Sequence, residues 1–325
     1  MSTKNDVLSV LERDRDRYIS GQELAETLKI SRTAVWKAVK CLEDDGHKIL
    51  AINNKGYKLE VCSDLLSAEG IRVNLPENYK NCPITVLNVT DSTNNQAKML
   101  AADKTAHGTI LLAEEQTAGR GRYGKSFFSP RGAGLYMSIV LKPHSGIAEP
   151  QMITIATALA VCRAIEKLTD KKPQIKWVND IYLEGKKICG ILSEAVTDFE
   201  SGNVESIVVG VGVDCTTSEA IIPQEFRGII GSLGTGQISR NCLAAEIAAG
   251  VLDNFENLSD KEIIDEYRKR SFMFGKDISF MRGNEKLSAT VTGISDSGSL
   301  LVRLNSGEDI ALNSGEVTIG SMSMQ

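Results

Sequence analysis

The chain has 325 residues, 42% of them hydrophobic and 24% charged, and a net charge of −5 at pH 7. That leaves room for two or three domains of about 100–200 residues and excludes an overall basic, nonspecific nucleic-acid binder, so any such site must be local. Apolar runs all fall short of the ~18 residues a membrane span needs, and seven scattered cysteines with no C-x-x-C pair fit a reduced, cytoplasmic protein.

The first 63 residues read as a DNA-reading unit. Val7, Leu8, Val10 and Leu11 form a short helical stripe. Ser20 to Glu23 is a capping box that opens a second helix, with Leu24 and Leu28 inward. Ser31 caps a third helix, Arg32 to Asp45, with Val35, Ala38, Val39 and Leu42 on its core line and Gly46 at its stop. A hairpin follows: Lys48–Ile52, a polar turn at 53–56, then Tyr57–Leu59. Together these predict a winged helix-turn-helix. Thr33, Trp36, Lys37 and Lys40 share the face of the third helix away from its core line, which suits major-groove docking. Lys37, Lys40 and the amides near Ser31 would meet phosphates, and Arg32 or Thr33 the base edges.

Residues 64–270 carry the chemistry. A strand at Ile84–Val89 runs into Asp91-Ser92-Thr93-Asn94 and then a helix, which places small hydroxyls and an amide at a helix N-terminus. A second strand, Thr109–Thr117, feeds Gly119-Arg120-Gly121-Arg122-Tyr123-Gly124-Lys125-Ser126. This loop fits both the P-loop and the dinucleotide patterns, yet both require a helix to follow. Here a strand follows, Leu135–Leu141, so neither context is met. Residues Gln151–Leu168 predict a long buried helix. Ile175–Leu183 reads as one strand carrying Lys176, Asn179 and Asp180, and Lys186–Ala195 returns beside it, with Gly185 in the turn. Lys176, Asp180 and Lys187 then gather near one end of a hairpin, as a site pair or as a plain cross-strand salt bridge. Ile207–Asp214 is a buried strand with glycines that admit a close neighbour. Two helices follow, Leu243–Leu258 and Lys261–Arg270, and residues 271–325 read as short strands of a small barrel.

The motifs Asp91-Ser92-Thr93-Asn94, Gln116-Thr117-Ala118-Gly119-Arg120-Gly121-Arg122, Lys176-Trp177-Val178-Asn179-Asp180, Lys187 to Leu192 and Gly210-Val211-Gly212-Val213-Asp214 occur in the order and spacing of biotin–protein ligases. Ser31 to Lys37 resembles the DNA-binding extension of the bifunctional bacterial kind, which is also a biotin-operon repressor. Ser314-Gly315-Glu316-Val317 resembles the family's closing motif. Val178 stands where the family usually has Pro, Asp214 where Asn is common, and Ser295 where Asp is common.

The resemblance implies an α+β, multidomain chain. Its parts are a winged helix at 1–63, a mixed-sheet α/β catalytic domain at 64–270 akin to class II synthetases and lipoyl ligases, and an SH3-like barrel at 271–325. It implies two reactions, formation of biotinyl-5′-AMP from biotin and Mg-ATP, then transfer of biotin to a lysine of a carrier domain. The implied biotin residues are Ser92, Thr93, Asn94, Gln116, Arg120, Gly121, Arg122 and Lys187. Gly119, Arg122, Lys176, Trp177 and Asn179 would hold ATP, while Lys187, Arg120, Arg122 and Asp180 would act in catalysis. Mg²⁺ would accompany ATP, without a dedicated protein metal site. Partners would be the biotin carboxyl carrier domain of acetyl-CoA carboxylase or a similar protein, operator DNA of biotin genes, and a second copy of the chain recruited by biotinyl-5′-AMP; no membrane is expected. A biotin-sensing transcription factor without catalysis is the alternative, and Lys187 with both loop arginines weighs against it.

Overall fold

The computed structural model describes residues 2–103, 105–143, 150–197, 202–217, 220–234 and 238–320; His144 lies outside them. Helices α1 (Thr3–Arg13), α2 (Gly21–Leu28) and α3 (Arg32–Asp44) precede strands β1 (Ile49–Ile52) and β2 (Gly56–Leu59). The hydroxyls of Ser20 and Ser31 accept from Glu23 N and Ala34 N, so local capping chemistry sets both helix starts. Val7, Leu11, Leu24, Val35, Val39 and Leu42 bury together in a core separate from the rest. The strands β1 and β2 pair antiparallel as the expected wing.

The central part begins with α4 (Ala68–Asn74), β3 (Ile84–Leu87), α5 (Thr93–Ala102), β4 (Thr109–Ala113), β5 (Gly134–Leu141) and α6 (Pro150–Leu168). Strands β6 (Gln174–Lys176), β7 (Asp180–Leu183), β8 (Lys186–Thr197) and β9 (Val204–Asp214) follow, then α7 (Arg240–Glu256) and α8 (Lys261–Arg270). One seven-stranded sheet runs β3-β4-β5-β9-β8-β7-β6. Only β3 and β4 are parallel within it, so the sheet is mixed. Period-2 alternation sorts its side chains. Leu111, Val140 and Val208 pack with Ala97 and Ala101 of α5, whereas Ile110, Leu112, Met137 and Ile139 join the large core with α6 and α7.

The stretch 175–183 is two strands rather than one. The chain reverses over Trp177–Asn179, so Lys176 faces Asp180 across β6 and β7. Its anchors are remote in sequence. Asn179 Nδ2 donates to Ile191 O at 3.0 Å, Ile191 N donates to Asn179 O at 3.0 Å, and Trp177 Nε1 donates to Gly298 O at 2.8 Å. The Trp177–Val178 peptide is cis.

The C-terminal strands β10 (Asp277–Arg282), β11 (Glu285–Ile294), β12 (Leu300–Leu304), β13 (Asp309–Leu312) and β14 (Val317–Ile319) form an antiparallel sheet in the order β13-β12-β11-β10-β14. Among the described residues this sheet is open, since its edge strands β13 and β14 do not pair. No described helix is long and apolar enough to cross a membrane.

A buried polar joint ties the parts together. Arg240, 4% exposed, donates to Asp64 Oδ2 and Glu114 Oε2, each at 2.9 Å. Its neighbour Asn241 donates to Leu65 O and to Glu12 of α1.

Candidate active site

Two rows of residues across the central sheet make the floor of a cavity of about 570 Å³. The first row is Asp180, Gly190 and Gly212, the second Leu192 and Gly210; Tyr136 and Ser138 continue them on β5 outside the cavity lining. Glycine is required at two of these positions by close approach. A Cβ on Gly212 would stand 2.5 Å from the Phe127 ring, and one on Gly210 would stand 2.2 Å from Asn94 Oδ1.

One end of the cavity is lined by hydroxyls and amides. The first turn of α5 presents Ser92, Thr93 and Asn94, all at most 4% exposed. Gln116 Oε1 accepts from Thr93 N at 2.8 Å and from Thr93 Oγ1 at 3.1 Å, and Gln116 Nε2 donates to Ser129 Oγ at 2.9 Å. Asn94 turns its amide toward Leu192 O, Glu194 and Ser138. Behind this turn Asp91 accepts from Asn95 and Gln96, whose hydrogen bonds hold its carboxyl well below the usual range.

The other end is cationic. The stretch 119–127 folds back on itself, with Gly121 N donating to Lys125 O at 2.7 Å and Phe127 N donating to Gly119 O at 2.8 Å. It joins β4 to the antiparallel β5, as a strand-to-strand flap should. Arg120 Nη1 donates to Asn95 Oδ1 at 2.9 Å, and Arg122 Nη1 donates to Asn179 Oδ1 at 3.2 Å. Lys187 Nζ lies 2.6 Å from Asp180 Oδ1, so the carboxylate and the ammonium meet inside the site. Burial lowers the Lys176 pKa, against the opposing pull of Asp180. Gly315, Glu316 and Val317 close this end from the C-terminal sheet, and Glu316 pairs with Lys125 of the flap.

Nearly all the residues singled out in the sequence therefore converge. Ser92, Thr93, Asn94, Gln116, Arg120, Gly121, Arg122, Lys176, Trp177, Asn179, Asp180 and Lys187 all line the cavity. Gly119 does not; it packs against Phe127 O and Ser129. Trp177 is buried, with its N–H committed to Gly298 O. Sequence reasoning missed Phe127, Ile229 and Ile230. Each sits in an ordinary apolar or loop run, and only the strand register and the covering segment at 224–231 bring it to the cavity. That segment is tied to β8, with Lys187 N donating to Ile229 O at 2.9 Å.

Asp214 ends β9 at 2% exposure and lines the cavity. Burial pushes its carboxyl up to about 7, opposed by the Thr217 hydroxyl and by Lys187.

Comparison with known proteins bears on the whole chain. Residues 86–214 match the model of the Biotin/lipoate A/B protein ligase family, 3–58 match an HTH domain, and 273–320 match the biotin protein ligase C-terminal domain. "Bifunctional ligase/repressor BirA" of Escherichia coli is 30% identical over 312 residues, 92% of this chain and 94% of that protein. This chain belongs to the biotin protein ligase family. The protein of the same name from Bacillus subtilis is 34% identical over 230 residues, 71% of this chain and 70% of that protein. The biotin protein ligase of Aquifex aeolicus, solved with biotin and ATP, superposes with a TM-score of 0.63 at 25% identity, over 73% of this chain and 98% of that one.

Beyond the ligase cavity, this biotin protein ligase family member has a second candidate surface on α3. Ser31, Arg32, Thr33, Trp36, Lys37 and Lys40 are all exposed there. Trp36 is 52% exposed and does not pack away under the wing. Lys40 pairs with Glu43 at 2.5 Å, which leaves Arg32 and Lys37 as the cations more open to phosphate.

Proposed function

We propose that the chain is an ATP-dependent biotin–protein ligase that also represses transcription of biotin genes. One observation carries the reading. A neutral hydrogen-bonding end built on Thr93 and Gln116 and a cationic end built on Arg122, Lys176 and Lys187 share one cavity beneath an arginine-bearing flap. The first end suits a cyclic urea, the glycine floor an apolar ring, and the second end a carboxylate meeting a phosphate.

In the first step a biotin carboxylate oxygen attacks the α-phosphorus of ATP, and pyrophosphate leaves. Negative charge builds on phosphate oxygens. Arg120, Arg122 and Lys187, once they have exchanged their protein partners for the nucleotide, stabilise it. Asp180 holds the Lys187 ammonium in place while the nucleotide is absent. Among the described residues no three His, Cys, Asp or Glu side chains gather as a metal cage. Mg²⁺ held mainly by phosphates, with one carboxylate such as Asp180 or Glu316, fits that donor set. When bound it would neutralise the leaving pyrophosphate. In the second step a carrier lysine amine attacks the acyl carbon, and AMP leaves. Closure of the flap keeps water from the mixed anhydride.

The assignment of Ser92, Asn94, Gly121, Trp177 and Asn179 to ligand contact belongs to the same proposal, with Gly119 serving ATP through the flap it anchors rather than by lining the cavity. So do boundaries at 63/64 and 270/271, kinship of the catalytic fold to class II synthetases, and an SH3-like C-terminal domain. The carrier is the biotin domain of acetyl-CoA carboxylase or a similar protein. Biotinyl-5′-AMP would promote a homodimer whose two α3 helices reach two operator half-sites. Incubation with biotin, Mg-ATP and a carrier domain should label one lysine and release pyrophosphate; absence of both refutes the ligase. Footprinting should require biotinyl-5′-AMP, and equal protection without it refutes the switch.

A further inference from the structure

Ser138 is a fully buried hydroxyl in the middle of β5. The chemistry above does not use it. Its Oγ lies 2.8 Å from Thr93 Oγ1 and 2.7 Å from Asn94 Oδ1, both in the first turn of α5.

The protons of this cluster can be traced, because both amides have a fixed orientation. Asn94 Nδ2 donates to Leu192 O at 3.1 Å and to Glu194 Oε2 at 2.9 Å. Neither of those groups can donate back, so Oδ1 faces Ser138 and takes a proton from it. Gln116 Nε2 donates to Ser129 Oγ, whose own proton goes to Phe127 O at 3.0 Å. Gln116 Oε1 therefore faces Thr93, 3.1 Å from its hydroxyl. Ser138 is the donor toward both Asn94 Oδ1 and Thr93 Oγ1, and the Thr93 proton goes to Gln116 Oε1. Thr93 Oγ1 therefore turns a lone pair, not a proton, toward the cavity. Ser92 differs, since it caps α5 without using its hydroxyl and keeps a proton to give.

Given the biotin reading above, we infer that Ser138 is a positioning residue that fixes the polarity with which the cavity reads a cyclic urea. Thr93 accepts from a urea N–H, and Ser92 donates to the urea carbonyl. Ser138 never touches the ligand. It satisfies Asn94 Oδ1, which lies over Gly210 where a Cβ would not fit, and by donating toward Thr93 it leaves the Thr93 proton to Gln116 behind the site.

The test measures ligation by the full chain as wild type, Ser138→Ala and Ser138→Cys. Substrates are biotin and biotin methylated at either urea nitrogen. We expect Ser138→Ala to raise the biotin KM about tenfold, because a buried acceptor loses its donor, with kcat and the ATP KM within about twofold of wild type. Wild type should reject at least one methylated analogue by 100-fold or more, on the order seen when a site loses a substrate N–H it is built to bond. The variant should reject that analogue about fivefold less strongly, since the acceptor of that N–H is no longer held. A merely structural role would leave that ratio unmoved. Ser138→Cys fills the same space with a weak donor and should match Ser138→Ala; it carries the test if the alanine variant does not fold. An unchanged biotin KM, or the same discrimination ratio in variant and wild type, overturns the inference. A wild-type chain that transfers no biotin overturns the substrate reading instead, and is seen before any variant is compared.

Discussion

The two ends of the cavity are built differently. At the Thr93–Gln116 end Thr93 and Asn94 are buried and Gln116 half-buried, and protein groups satisfy them at distances near 3 Å. At the flap end Arg120 and Arg122 rest on the neutral amides of Asn95 and Asn179. A guanidinium bonded to an amide exchanges readily for a phosphate, because a bond between two charged groups is shorter and about twice as strong. Recognition of a neutral ring is thus complete on folding, whereas recognition of an anion is finished by the anion itself.

Lys187→Ala should separate the ends most sharply. It removes a cation and leaves Asp180 facing the phosphates unpaired. Pyrophosphate release should fall about 10²–10³-fold, as when one transition-state donor is lost. Binding of biotinol, which keeps the urea and lacks the carboxylate, should not change. Equal loss of biotinol binding would show that the two ends are one coupled unit. Arg122→Ala should act in the same direction, about 10–100-fold on kcat/KM for ATP, with biotinol again unaffected.

This asymmetry also decides what could be read from the sequence. The flap end announced itself, because glycines and arginines in one run have few other uses, and its strand-to-strand context was visible in Leu135–Leu141. The helix starts at Ser20 and Ser31 were legible because a cap is made within three residues. Ser138 was not, since one serine in an apolar strand carries no mark until β9 sets Gly210 beside it and α5 lies above. The break within 175–183 was hidden for the same reason. Those residues alternate like a single strand, and the turn is pinned by Ile191 and Gly298, both distant in the chain. Arg240 carries no mark of burial in the sequence around it. Asp64 and Glu114, far away in sequence, allow it to be buried. The C-terminal strands were legible one by one, but turn spacing does not say whether a sheet closes.

Asp214, two residues beyond Gly212 on β9, offers a smaller effect with a definite sign. Its carboxyl rises from an ordinary 3.8 to about 7 on burial. Between roughly pH 4 and 7 the native chain therefore keeps a proton that the unfolded chain has released. Stability must fall as pH rises through that window. Asp214→Asn has no such proton. Its Tm should gain on wild type by about 2–4 °C between pH 4 and pH 7, read by calorimetry at matched ionic strength. Parallel pH profiles would place the Asp214 carboxyl at its ordinary value and move it to the solvated, anion-facing side of the comparison.

The smallest effect belongs to Lys125, the flap cation that rests on a carboxylate rather than an amide. Its partner Glu316 reaches across from the segment before β14, and the two side chains are 61% and 51% exposed. The ammonium holds the Glu316 carboxyl below its usual value. Exposed pairs of this kind contribute about 0–1 kcal/mol and are screened by salt. Lys125→Gln should therefore leave Tm unchanged and shift the ATP KM less than about threefold, with the shift gone near 0.5 M salt. A shift as large as that of Arg122→Ala would mean that Glu316 orders the flap, and that the C-terminal sheet is part of the anion-binding end. A small, salt-sensitive shift leaves that end to the two arginines and Lys187, whose present partners are groups that a phosphate can replace.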